Sequence, residues 1–93
     1  MRMDEKHPRW PEFCRRLEGL EGCNFRTVNR KSRWTCSGRR SRPLARWLLR
    51  VMGLRRKDVA KSMAYFTRHG GYCDCEIIFN VQLGRVREKK CVA

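Results

Sequence analysis

The spacing of apolar residues divides the chain into short amphipathic pieces. In residues 8–19 (PRWPEFCRRLEG), Trp10, Phe13, Cys14 and Leu17 recur at intervals of three and four. That spacing puts them on one helical face, with Pro11 suited to the first turn and Gly19 to the stop. Residues 23–36 (CNFRTVNRKSRWTC) predict a β-hairpin with arms at 25–28 and 33–36 and a polar turn at 29–32. Residues 43–52 (PLARWLLRVM) predict a second helix, opened by Pro43 and closed by Gly53. On its wheel Leu44, Trp47, Leu48 and Val51 share one face, and Arg42, Arg46 and Arg50 fall nearly opposite.

Residues 58–69 (DVAKSMAYFTRH) predict a third helix, with Asp58 as N-cap and Gly70–Gly71 as stop. Val59, Met63 and Phe66 form its core stripe, with Tyr65 at the edge. Residues 72–81 (YCDCEIIFNV) alternate as a strand does. Cys73, Cys75, Ile77, Phe79 and Val81 point one way, and Asp74, Glu76, Ile78 and Asn80 the other. The order α-β-β-α-α-β predicts an α+β fold: a small three-stranded antiparallel sheet, the last strand joining the hairpin, with about three helices packed on it. Residues 1–82 are expected to form one domain, and residues 83–93 a flexible basic tail.

Charge changes this picture more than any other property. The 93 residues carry 23 Lys+Arg against 9 Asp+Glu, a formal net charge of +14. Residues 1–21 are balanced, whereas residues 24–57 hold twelve basic residues and no acid. Such a segment repels itself, and a polyanion would relieve that repulsion through counterion release. The candidate contacts are Arg30, Lys31 and Arg33 at the hairpin, Arg39 and Arg40 before the second helix, Arg42, Arg46 and Arg50 along it, and Arg55, Arg56 and Lys57 after it. Guanidinium groups suit phosphate better than ammonium groups do. Trp34 and Trp47 are expected mainly in the core, so phosphate contacts should outweigh base readout. The alternative partner is an acidic surface on another protein, as for a phage-type inhibitor of a host machine.

The chain shows no signal-peptide pattern and no apolar run long enough to span a bilayer. It is therefore expected in the cytoplasm, away from membranes, with its cysteines reduced or metal-bound. There are six: Cys14, Cys23, Cys36, Cys73, Cys75 and Cys91. No C-x-x-C pair occurs. The C-x-C of Cys73 and Cys75 could converge with Cys36 and Cys23 on a structural zinc ion, with His69 and Cys14 as alternative ligands. Plain buried thiols are an equally open reading. A catalytic reading would make Cys73 or Cys75 a nucleophile with His69 as base. Strand alternation sends Asp74 and Glu76 to the other face, so a non-catalytic protein is expected.

The run FTRHGGYCDCEIIFNV (66–81), together with LEGLEGCNFR (17–26) and WTC (34–36), resembles the signature of an uncharacterised bacterial family, domain of unknown function 2695. LARWLLRVMG and SMAYF fit the same pattern. The resemblance implies a compact bacterial or phage-borne domain with cysteines at set places. It implies no activity.

Overall fold

The computed structural model describes residues 1–35 and 41–82. Helix α1 spans Trp10–Glu18, the hairpin consists of β1 (Arg26–Val28) and β2 (Lys31–Arg33), and α2 spans Pro43–Val51. Helix α3 follows at Arg56–Arg68, then a single turn α4 at Asp74–Glu76 that runs into a π-helical turn at Ile77–Gln82. The molecule is α+β, but its sheet has two strands, β1 and β2, among the described residues.

Helix α1 forms where its pattern predicts, with Glu12 in the first turn and Arg15 and Arg16 in the last, each sign favourable to the helix dipole. Its buried face is Trp10, Phe13, Cys14 and Leu17. Phe13 stacks on Phe66 of α3 with centroids 5.7 Å apart. Around this pair gather Leu48 and Leu49 of α2, Met63 of α3, and Ile77, Ile78 and Val81. Each large apolar side chain fully buried here stabilises the fold by about 1.5–3 kcal/mol. Helix α1 packs on α2 and on the π-helical turn, and α2 packs on α3 and α4.

The hairpin is tighter than expected. Val28 pairs with Lys31, so Asn29 and Arg30 alone make the turn. Their φ angles of 52° and 65° are those of a type I′ turn, whose twist matches that of the strands. Every residue of both strands is exposed.

The predicted third strand is instead helical. Alternation would leave one face for solvent, yet Asp74, Cys75, Glu76, Ile77, Ile78 and Asn80 are all buried. A segment enclosed on all sides must satisfy its own main-chain groups, and a helical turn does so without a neighbouring strand. A short apolar run does not distinguish the two by periodicity. One helix face and one boundary also differ from expectation. In α2 the buried residues are Ala45, Leu48 and Leu49, with Met52 just beyond, while Trp47 and Val51 are each 50% exposed. Helix α3 begins two residues early, so Asp58 lies in its first turn rather than at the cap.

The N-terminal segment is laid along α3. The Met1 ammonium is 3.1 Å from the Asp58 carboxylate, which hydrogen bonding to that ammonium holds below its ordinary pKa. The Met3 amide donates to Ser62 Oγ at 2.8 Å, and the Met3 side chain is fully buried.

Candidate nucleic-acid interface and thiol cluster

Helix α2 has no capping side chain of its own. Its preceding residue, Arg42, adopts the left-handed conformation, with φ of 51°. The cap comes from far along the chain. Asp74 accepts hydrogen bonds from the amides of Ala45 (2.9 Å) and Leu44 (3.3 Å), two donors a helix start otherwise leaves unpaired. Burial pushes the Asp74 carboxyl up from its ordinary pKa, while these two amides pull it down.

Arg42 is a correction to the expected basic stripe. It is 8% exposed, and its guanidinium donates to Met63 O, Thr67 Oγ1 and Gly71 O at 3.1, 3.1 and 2.8 Å. Burial, then repulsion from Arg46, lowers its pKa. Arg42 thus joins the start of α2 to the end of α3. Gly70, with φ of 86°, ends α3, and its carbonyl accepts from Asn80 Nδ2 at 2.8 Å. A Cβ on Gly71 would stand 3.0 Å from Ile77 Cγ1 and 3.1 Å from Phe66 O. The Gly-Gly pair is therefore required by a turn and a close approach.

The remaining described candidates for anion contact are exposed: Arg30, Lys31 and Arg33 on the hairpin, Arg46 and Arg50 on α2, and Arg55, Arg56 and Lys57 around the start of α3. The carboxylates that form ion pairs among the described residues are Asp4, Glu12, Glu21 and Asp58, and their partners are Arg2, Arg9, Arg16 and the Met1 ammonium. None of the exposed cations just named is within ion-pair distance of a carboxylate there, although Lys57 is near enough to help lower the Asp58 pKa. Arg39 and Arg40 lie outside the described residues.

The thiols form a second, smaller core. Cys23, Cys73 and Cys75 are buried together, with Phe25, Trp34, Leu44 and Phe79 packed on them. The base of the hairpin and the start of α2 therefore meet over the sulfurs. Phe25 stacks on Trp34 at 5.6 Å, and Phe79 meets both edge-on at 5.4 and 5.3 Å. The Cys73 and Cys75 sulfurs are 3.4 Å apart. Thr35 N donates to Cys23 O at 2.7 Å, tying the end of the hairpin to the cluster. Trp34 Nε1 is buried and finds no acceptor among the described residues.

Among the described residues no three thiol, imidazole or carboxylate groups converge closely enough to hold a metal ion. Cys36, the fourth expected ligand, lies outside them, as do Cys91 and residues 83–93. Neither alternative ligand joins the sulfurs. Cys14 belongs to the main core, where burial pushes its thiol up to about 12. His69 is exposed and packs on the Tyr65 ring at 4.5 Å. No helix of the described residues is long and apolar enough to cross a membrane.

The roles of Asp74, Arg42 and Asn80 were not evident from spacing. The only sequence signal for them is the polarity of residues inside the otherwise apolar signature and at the start of α2. No curated protein and no solved structure matches the chain. A family model described as "Protein of unknown function (DUF2695)" matches residues 25–80, from the base of the hairpin through Asn80. That span covers more than half of the chain and includes the thiol pair, the distant cap of α2 and the buried arginine, and the chain belongs to the DUF2695 family.

Proposed function

We propose that the protein binds a polyanion, nucleic acid, through the exposed arginines of α2 and of the connection to α3, with the hairpin cations alongside. The observation that carries this reading is the set of exposed cations with no carboxylate partner among the described residues: Arg30, Lys31, Arg33, Arg46, Arg50, Arg55, Arg56 and Lys57. Guanidinium groups already paired within the fold would have little to gain from phosphate. Unpaired ones release counterions when phosphate replaces solvent. The test is the affinity for a labelled oligonucleotide across salt concentrations. About six phosphate contacts predict a loss of roughly a thousandfold between 50 and 200 mM salt. The double variant Arg46→Gln/Arg50→Gln should flatten the log–log slope by about two. A salt-independent affinity, or a complex that survives nuclease and contains only protein, would remove the proposal.

A second reading concerns the thiol cluster, which we propose as a structural zinc site. Two thiolates on one tetrahedral zinc stand about 3.8 Å apart, near the separation of Cys73 and Cys75. Cys23, buried in the same cluster but not within common bonding distance of the pair in this arrangement, and Cys36 are the further ligands expected from the sequence. The unpaired Trp34 N–H packed on this cluster supports the reading, because metal-bound thiolates are good acceptors.

A further inference from the structure

Trp47 and Val51 stand apart from the other apolar residues of α2. Both are half exposed, and they lie one helical turn apart on the arc that also carries Arg46 and Arg50. The two other tryptophans are engaged within the fold: Trp10 lies in the main core and Trp34 in the aromatic group over the thiols. Trp47 has no ring partner among the described residues. Nor is it a misplaced core residue, because Ala45, Leu48 and Leu49 already fill the buried side of α2. Half an indole and half a valine thus remain in water, beside guanidinium groups that have no carboxylate partner among the described residues.

We infer that α2 binds single-stranded nucleic acid, with an unstacked base laid on the Trp47 ring and adjacent phosphates on Arg46 and Arg50. This rests on the nucleic-acid reading above and narrows it. Three physical points favour a single strand. An indole presents a flat π-face to a base of any identity, and stacking of this kind needs no sequence readout. The two arginines rise about 6 Å apart along the helix, so they can follow consecutive phosphates of one strand. In a duplex the base faces are already covered by their neighbours, so the indole would gain nothing from it. The carboxylates of an acidic protein surface would satisfy the arginines but do not stack on the ring as a nucleobase does.

The experiment uses the full chain, a labelled oligothymidylate strand, and a labelled duplex of the same length and mixed sequence. The intact protein should bind the strand more tightly than the duplex, and the strand should quench tryptophan fluorescence. Trp47→Ala should weaken strand binding about tenfold, leaving duplex binding and the melting temperature unchanged. Trp47→Phe should keep most of the strand affinity while abolishing the quench. Equal binding of the strand by Trp47→Ala and the intact protein, with salt-sensitive binding retained, would overturn the stacking inference and leave the nucleic-acid reading standing. Quenching of the same tryptophan by polyglutamate at matched charge would overturn it in favour of an acidic protein partner. Absence of binding to strand and duplex alike at low salt would remove both readings.

Discussion

Arg42 shows how far a residue's role depends on the acceptors its neighbours bring together. Its left-handed backbone costs about 1–2 kcal/mol for a residue with a Cβ. The guanidinium offsets that cost by donating to three oxygens, Met63 O, Thr67 Oγ1 and Gly71 O. Methionine at this position would fill similar space and leave those acceptors without their charged donor. Arg42→Met is therefore expected to destabilise the fold by about 3 kcal/mol. Thermal melting would then fall by roughly 10–20 °C in a domain this small. A shift of only a degree or two would mean that the side chain is not held as described. Arg46→Gln, one turn along, should leave melting unchanged, because that side chain is exposed.

At the scale of elements, α2 depends on a residue nearly thirty positions away. Asp74 does for this helix what a serine or aspartate at its own N-cap usually does. Asp74→Ala should cost about 1–2 kcal/mol. Amide hydrogen exchange at Leu44 and Ala45 should accelerate more than at the middle of α3. Unchanged protection at those two amides would refute the remote cap. The pH dependence has a definite sign. Burial raises the Asp74 pKa above 3.8, so the folded chain holds this proton more tightly than the unfolded chain does. Ionising it therefore removes stability as pH rises from 3.8 through the raised value. The deficit of Asp74→Ala should accordingly be smaller at neutral pH than in acid below 3.8. Asp58 titrates in the opposite sense: its lowered pKa gives stability that is present above 3.8 and is lost as pH falls through the folded value.

On the scale of the whole molecule, two cores share a short chain. The larger packs α1, α2, α3 and the π-helical turn around Phe13 and Phe66. The smaller joins the hairpin to the rest through sulfur and three aromatic rings. Small domains bury a modest fraction of their surface and often need a staple. The zinc reading makes the smaller core that staple. Protein purified without a tag should carry one equivalent of zinc, and chelation should lower its melting point by about 10 °C or more. The double variant Cys73→Ser/Cys75→Ser should lose the metal and the same increment of stability. Metal-free protein that melts identically with and without added zinc would leave the sulfurs as ordinary core.

Periodicity alone determined α1 and the middle of α3, because each has one wet face and one dry face that the spacing of side chains records; the hairpin, whose strands are exposed on both faces, was legible from its polar turn between two short arms. The charge asymmetry was equally legible, as was the family signature around HGGYCDCE. Tertiary structure decided the rest. Residues 74–82 are helical, and with Asp74 to Ile78 and Asn80 all buried the solvent face on which a strand's alternation depends is absent. Arg42 left the basic surface because Met63 O, Thr67 Oγ1 and Gly71 O lay together within its reach. Trp47 and Val51 were left in water because α2 turned Ala45, Leu48 and Leu49 inward to meet α1 and α3. A wheel drawn from one helix shows which residues share a face. Only the neighbouring elements fix which face is buried.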